Sequence, residues 1–383
     1  MKIHTQDLIK SACLLPLLAL SSPALANVET SSNHERSLLK RLHLLEKRLE
    51  KELEKPSINS ASYLSQRFNV SALVELEAFV QDSEHTNNSS DASLATIEVA
   101  IHSHLNPYVE AQVLLLHEDG AEQELVVDEG FMALSAQDIP LTLVVGKQVL
   151  GFGNFESHFI SDPLTLELAE TKDTAIKVQL EHLGFYGSAY IFNGDMNEQD
   201  DNDEIKQAGA QVGYVRIHKD NQLKIGVDYI SSLAESEGLI DYLQADDGDA
   251  ELQKTVPAAS LHGFLSFSKW QFLAEYISAT SAFDESDLRF ANFGAQPSSY
   301  NLEVSYDFTL RGKPVTVAVA HQESSEALAL DLPEQRNMIV ASYPIYKKTV
   351  FALELMQATD YAVKDGGTNN TDYSLSMQLA AEF

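Results

Sequence analysis

The last eleven residues constrain this chain more than any other stretch. Tyr373, Leu375, Met377, Leu379, Ala381 and the terminal Phe383 fall at every second position, against Ser374, Ser376, Gln378, Ala380 and Glu382. Strand side chains alternate between faces, so this segment has one apolar face and one wet face. Such a strand belongs at the boundary of an apolar medium, either the core of a soluble sandwich or the hydrocarbon of a membrane. The rest of the chain decides between them.

The N-terminus points to export. Lys2 and Lys10 give a basic start before a short apolar core containing Leu14, Leu15, Leu17, Leu18 and Leu20, and Ala24-Leu25-Ala26 is a small-x-small cleavage site. This reads as a secretory leader over 1–26, cleaved after Ala26. Its apolar run is too short for a spanning helix. Cys13, the chain's single cysteine, starts that run rather than following it, so no lipid anchor is expected, and it leaves with the leader. An exported chain without disulfides must be held together by other means. Removal of the leader leaves 24 basic and 56 acidic side chains, a formal charge of −32. Phosphates would be repelled, which excludes nucleic acid as a partner.

Glu35 to Lys55 reads as a helix. Leu38, Leu42, Leu45 and Leu49 follow the spacing of a coiled-coil seam, and Pro56 ends it. Two uses remain open: a periplasmic stalk that trimerises or tethers the chain, or a helix packed on, or plugging, the periplasmic mouth of a barrel. The expected organisation is a leader (1–26), a coiled-coil helix and linker (27–60), and a β-domain (61–383).

From Phe68 onward the pattern is β, and sixteen strands are expected, near 68–80, 93–105, 108–117, 122–134, 139–149, 173–182, 184–193, 207–218, 222–233, 256–268, 270–282, 298–309, 313–324, 333–343, 348–358 and 371–383. Several alternate cleanly, as where Leu223, Ile225, Val227 and Tyr229 oppose Lys224 and Asp228. Others, 208–218 and 270–282 among them, are mixed. Tight connections such as Leu183-Gly184, Ser268-Lys269 and Arg311-Gly312 alternate with long polar ones at 81–92, 150–172, 194–206, 234–255, 283–297 and 359–370. Brief turns on one side and long loops on the other fit an outer-membrane barrel and have no reason to arise in a sandwich. The expected fold is therefore an all-β membrane protein, a 16-stranded antiparallel transmembrane β-barrel in contact with outer-membrane lipid.

The long loops are acidic: Asp195, Glu198, Asp200, Asp201, Asp203 and Glu204 crowd one, and Glu235, Glu237, Asp241, Asp246, Asp247, Asp249 and Glu251 another. They would draw cations to the mouth and discourage anions. Loose divalent-cation binding there is an expectation, although Asp195 to Asp203 lacks the glycine and closing glutamate of an EF-hand.

A sixteen-stranded barrel is too wide for side chains to fill, so the expected function is passage of small solutes. The loop at 150–172 is the candidate constriction. It runs Gly151-Phe152-Gly153-Asn154-Phe155-Glu156-Ser157-His158, then Ser161-Asp162-Pro163-Leu164-Thr165-Leu166-Glu167 and on to Thr171. Gly151 and Gly153 permit unusual backbone conformations, and Phe152, Phe155 and Phe159 could anchor the loop to the wall. It either folds inward or packs on itself at the rim.

This stretch, with Gly184 to Asp195 (Gly-Phe-Tyr-Gly-Ser-Ala-Tyr-Ile-Phe-Asn-Gly-Asp), the leader, the short coiled coil and the sixteen-strand plan, resembles the LbtU-type siderophore porins. An aromatic C-terminal residue is likewise similar to the closing strand of bacterial outer-membrane barrels. The resemblance implies uptake of an iron-loaded, legiobactin-like polycarboxylate siderophore without a plug domain. The residues themselves show only a pore. The solute-contact or constriction set is Lys147, Phe152, Asn154, Phe155, Glu156, His158, Asp162, Glu167 and Lys177.

Lys147, Lys177, Lys224 and Arg216 are read as lumen cations that either greet an anionic ligand or neutralise neighbouring carboxylates. His102 and His104 share a strand face with Glu98, a weak metal pattern that an ordinary wet wall also explains. No G-x-S-x-G or H-E-x-x-H constellation occurs, so neither an enzyme nor a cofactor is expected. A general diffusion porin and an envelope-tethering barrel are the alternatives to the siderophore porin.

Overall fold

Residues alternate outward and inward around a closed wall, and the wall is a sheet joined to itself. The computed structural model describes residues 68–383 apart from 84–87, 120–124, 137–138, 199–204, 220 and 245–250. The leader and the heptad segment lie outside the described residues. Sixteen strands form the wall: β1 (Phe68–Ser83), β2 (Ser89–Asn106), β3 (Val109–Glu118), β4 (Val126–Ser135), β5 (Leu141–Val149), β6 (Lys172–His182), β7 (Phe185–Phe192), β8 (Gln207–His218), β9 (Asn221–Ile230), β10 (Ala258–Phe267), β11 (Trp270–Ala279), β12 (Ser298–Leu310), β13 (Lys313–Ser325), β14 (Gln335–Tyr346), β15 (Thr349–Thr359) and β16 (Thr371–Glu382). Each pairs antiparallel with its neighbours in sequence. The barrel closes where β16 meets β1, with Leu379 opposite Leu76 and Met377 opposite Ala78. Closure removes the free edges that would otherwise leave backbone groups unpaired in hydrocarbon.

The outer face is apolar and the inner face polar. On β9, Ile225, Val227 and Tyr229 are 48%, 52% and 46% exposed, whereas Lys224 and Asp228 between them are 7% and 1% exposed. On β12, Leu302 points out while Asn301, Glu303 and Ser305 are buried inside. Only a surrounding apolar medium makes that arrangement favourable. No helix among the described residues is long and apolar enough to cross a membrane.

One end of the barrel is made of tight hairpins. Leu183 and Gly184 both have positive φ, as do Arg311 and Gly312, the conformation whose twist matches that of the flanking strands. The expected Pro344–Lys347 turn lies further on: β14 continues through an irregularity to Tyr346 and the chain reverses at Lys347-Lys348. At the opposite end, the expected long connection 81–92 is shorter, because β1 and β2 extend to Ser83 and from Ser89.

The other long connections are not solvated streamers. The segment after β9 contains a short helix, α2 (Glu237–Gln244), and buries Leu233, Ala234 and Leu239 completely. Asn197–Glu198 pairs with Glu251–Leu252 in a small parallel ladder. These segments share one apolar cluster with Phe283, Leu288, Ala295, Ala327 and Leu332 from later connections. The cluster rests on inward side chains near the strand ends, among them Phe192, Ile230, Ala258 and Ile277. Part of the wide mouth is therefore roofed by a packed core made from the chain's own loops.

Because Val227 faces outward midway along β9, Val227→Arg should cost about 2–4 kcal/mol of folding stability, the penalty for a cation at mid-bilayer. Urea unfolding in lipid vesicles measures it; a cost below about 0.5 kcal/mol would mean that this face is not in hydrocarbon.

Candidate functional site

The connection between β5 and β6 folds into the barrel. Its first half is irregular and its second half is a short helix, α1 (Leu164–Ala169), that follows Pro163. A segment without regular pairing has backbone N–H groups to satisfy. Here the barrel wall supplies acceptors one after another. Gly153 N–H donates to Asp228 of β9 at 3.0 Å. Asn154 and Phe155 N–H donate to the two oxygens of Glu275 on β11 at 2.6 and 3.2 Å. His158 N–H and Ser157 Oγ donate to Glu303 on β12 at 3.0 and 2.7 Å. Ile160 N–H and Ser161 Oγ each donate to Glu354 on β15 at 2.6 Å. Leu164 N–H donates to Gln322 of β13 at 3.2 Å. Four carboxylates thus grip one loop along successive parts of the wall. Charge-assisted bonds of this kind are shorter and stronger than neutral ones.

Apolar anchors reinforce the grip. Phe152 and Phe155 are 1% and 5% exposed within the same cluster as Leu164 and Leu168. Phe159 sits in a recess formed by Ala318, Ala320, Met338, Val340 and Ala352 of β13 to β15, small side chains leaving room for a ring. Gly153 has φ +83°, and a Cβ there would lie 2.3 Å from the Phe155 ring folded back over it.

The sequence-predicted residues divide into four groups, the lysines being the last. Phe152, Phe155 and His158 are structural. The His158 imidazole is only 6% exposed, with Nδ1 3.0 Å from Glu303 and Nε2 3.1 Å from the Ser305 hydroxyl. Asn154 and Glu156 lie on the loop with Lys224 between them; the ammonium donates to Asn154 Oδ1 and is 3.3 Å from Glu156. Asp162 and Glu167 face the lumen. Arg336 of β14 positions them, its Nη1 donating to the Asp162 carbonyl at 3.0 Å and to Glu167 at 2.8 Å.

The lysines separate. Lys177 points inward beside Glu129 and is 6% exposed. Lys147 is a correction: its register with Gly130 and Thr174 places it on the outer face, where it is exposed, so it is not a lumen or constriction residue. Arg216 is outward too, paired with Leu223. A glycine-rich, irregular strand end hides which parity faces in, which is why the sequence misplaced Lys147.

The loop's bonds run to β9 and to β11 through β15. It therefore leaves the β1–β4 arc of the wall facing its other side. That arc carries inward Glu75, Glu98 and Glu129, all buried in the wall, and Glu77, which accepts from Gln378 at 2.8 Å. Across from it stand Asp162, Glu167 and Glu170. Enclosure by the barrel, followed by the negative charges of Glu167 and Glu118, pushes Asp162 up to about 7. Glu170 is also pushed up to about 7, enclosure outweighing the attraction of Lys172. The cations nearest this space are occupied. Lys172 is 2.6 Å from Asp128 and 3.2 Å from Glu237, and Arg336 is bound as above.

Sequence reasoning missed the acceptors. Asp228, Glu275, Glu303 and Glu354 read as ordinary wet-face residues; the signal was an acid at corresponding mid-strand positions of four strands. It also missed the true partner of the histidine pair. His102 and His104 lie 3.8 and 3.1 Å from Glu110 on β3, not beside Glu98. No group of three or more His, Cys, Asp or Glu residues among those described is placed to hold a metal ion. The expected calcium-like run is partly outside the described residues. Its described part is packed, with Asp195 N–H donating to the buried Glu235 at 2.7 Å.

No family model matches the chain. A UPF0422 protein of Coxiella burnetii is 32% identical over 61% of this chain and 51% of its own length. A UPF0422 protein of Legionella pneumophila is 26% identical over 73% of this chain and 56% of its own length. The chain thus spans about half the length of these relatives. Among solved structures, Pseudomonas putida OprB superposes with a TM-score of 0.59 at 10% identity, covering 85% of this chain and 96% of that one. The outer membrane channel DcaP of Acinetobacter baumannii gives 0.58 at 11% identity over 82% and 97%. An anion-selective porin from Comamonas acidovorans gives 0.56 at 11% identity over 82% and 99%. At these identities the likeness establishes the porin-like barrel fold.

If the carboxylate grip fixes the loop, Glu303→Ala combined with Glu354→Ala should free its middle. Single-channel recordings should then show larger and noisier conductance steps than the parent. Unchanged step size and noise, in a variant with normal heat-modifiable migration, would mean that the loop does not set the aperture.

Proposed function

We propose that the chain is an outer-membrane diffusion channel that favours cationic and neutral solutes over anions. The observation that carries this reading is the charge of the open slot. Asp162 and Glu170 on the loop face a wall bearing Glu75, Glu77, Glu98 and Glu129, while Lys172 is tied to Asp128 and Glu237, and Arg336 to Glu167. In a narrow aqueous passage with low-dielectric walls, uncompensated charge of one sign raises the local concentration of the opposite ion. The Comamonas porin named above is anion-selective on the same barrel plan. Under this reading selectivity belongs to lumen side chains rather than to the fold. In this reading residues 1–26 direct export, 27–60 stand in the periplasm, and the apolar outer face meets outer-membrane lipid.

Carriage of a ferric siderophore is the narrower form of the proposal, supported by the resemblance of Phe152 to Thr171 and Gly184 to Asp195 to siderophore porins. A metal-free polycarboxylate would meet a wall of its own sign. The iron-loaded complex carries less negative charge and suits this slot better than the free ligand does. Loss of labelled ferric-siderophore uptake in an iron-starved deletion strain is the expected result; intact uptake removes the cargo and leaves the pore.

The pore itself is tested in planar bilayers under a potassium chloride gradient. The reversal potential should report preference for potassium, and Asp162→Asn with Glu167→Gln should lower the permeability ratio about two- to fivefold, as expected when two charges leave a screened aqueous passage. Absence of conductance would sink the channel; preference for chloride would sink the charge argument alone.

A pH series adds an independent check. A carboxylate whose pKa is raised to about 7 is charged above that value and neutral below it. Lowering the pH from 8 to 6 should therefore weaken the cation preference as Asp162 and Glu170 take up protons. A preference that is flat over this range would exclude both residues as contributors.

A further inference from the structure

Tyr186 of β7 and His262 of β10 lie against the inner wall, and a glycine makes room for both. A Cβ on Gly226 of β9 would run into His262 Nε2 and the Tyr186 hydroxyl. His262 is 3% exposed and stands between two of the carboxylates that hold the loop. Its Nδ1 is 3.2 Å from Asp228 Oδ2. On its other side it is in register with Glu275 of β11. Asp228 and Glu275 are equally buried, and between them they accept the N–H groups of Gly153, Asn154 and Phe155.

The hydrogen bonds around the ring define its charge. The Tyr186 hydroxyl donates its one proton to the Ile225 carbonyl at 3.4 Å. Its oxygen, 3.0 Å from His262 Nε2, is then left to accept. Nδ1 faces a carboxylate, which when ionised can only accept. Both ring nitrogens are therefore donors, which is the state of an imidazolium. That charge has work to do. Asp228 Oδ1 is buried and has no donor among the described residues. The neighbouring cation, Lys224, is engaged by Asn154 and Glu156. Two desolvated carboxylates held close together repel each other unless a positive charge stands with them. His158 is a different case: its carboxylate, Glu303, also accepts from Ser157 Oγ, Asn301 Nδ2 and the His158 N–H.

We infer that His262 positions the inward loop: as an imidazolium it compensates Asp228 and Glu275 together, and its deprotonation as the pH rises lets the start of the loop go. The inference deepens the channel reading by naming what regulates the aperture, and it rests on that reading only for its electrical readout. Histidine is the side chain whose charge changes around neutral pH. A cation that favours the gripped loop contributes while it is protonated, and the contribution is lost as the pH rises. The groups facing the ring are Tyr186, Asp228 and Glu275, with Lys224 and Glu156 beyond them.

Hydrogen exchange of the full-length protein in lipid nanodiscs, followed by mass spectrometry, reads the grip without any current. Between pH 6 and pH 9, after correction for intrinsic rates, protection at Gly153 to Phe155 should fall about tenfold or more, as expected when a charged hydrogen bond is lost. His262→Gln should show the low protection at both pH values. Adding Asp228→Asn keeps an acceptor for Gly153 and removes the repulsion, so most of the protection should return and no longer depend on pH. A ring that merely fills space would not be rescued by removing an acid. Heat-modifiable migration certifies that each variant is a folded barrel. Protection that is flat with pH in the parent, a pH step that survives in His262→Gln, or no rescue by Asp228→Asn would each overturn the inference. In planar bilayers the three proteins should be quiet or noisy in the same order. The predicted protection pattern without any conductance would sink the channel reading and leave this inference standing.

Discussion

An irregular loop inside a barrel must find acceptors for its backbone N–H groups, and nearly everything distinctive in this molecule follows from how that is met. The hydrogen-bonding capacity of the wall strands is spent on one another, so acceptors can come only from inward side chains. A carboxylate offers two oxygens and a full charge, and Glu275 and Glu303 each take more than one donor from adjacent loop residues. Replacing one such acceptor with an apolar side chain would leave buried donors unpaired, at roughly 1–3 kcal/mol each. Acidity on this part of the inner wall is therefore structural: these carboxylates are consumed in holding the loop. The acids of the opposite arc hold nothing of comparable extent; with Asp162 and Glu170 they are the acids that face the proposed slot.

The same division accounts for the roofed mouth. Once the loop is drawn toward β9–β15, helix α1 presents Leu164 and Leu168 to the space above, and the later connections bury Leu233, Leu239, Leu252 and Leu288 against them. Each piece is too short to form a core alone. Together they exclude water from one side of the mouth and leave passage to the other. Part of a wide barrel is thereby filled by the chain's own loops, without a separate plug domain among the described residues.

The sequence disclosed the barrel well because alternation, turn length and charge all agree on it. Leu223, Ile225, Val227 and Tyr229 against Lys224 and Asp228 make plain which face of β9 is wet. Legibility failed where the inner face is not wet. On β11, Leu273, Ile277 and Ala279 point inward beneath the roof while Phe272 and Tyr276 point to lipid, so both faces are apolar and the period vanishes. On β8 the inner residues include Gly213, because the Tyr186 ring lies flat across it; a Cβ there would meet the ring at 2.1 Å. Glycine carries no hydropathy signal, so that strand also looked mixed. The inward loop was legible as a possibility from its glycines and phenylalanines. Its partners were not, since nothing local to Glu275 or Glu354 announces a loop more than a hundred residues away.

The distinction between consumed and available charge also bears on cargo. Had the wall acids been uniform, an anionic ligand would be excluded throughout. Instead Lys224 and Lys177 stand on the inner wall, and a ligand carboxylate could reach Lys224 only by displacing Glu156. Glu156 sits on the loop and competes as an intramolecular partner, which disfavours exchange by the loss of a preorganised contact. A polycarboxylate is thus opposed twice, by the sign of the slot and by the occupancy of its cations. Chelated iron relieves the first by cancelling ligand charge and the second by occupying the carboxylates that would otherwise seek lysine. Under the proposed reading, discrimination between a loaded and an empty chelator would need no binding pocket; it would follow from net charge in the passage.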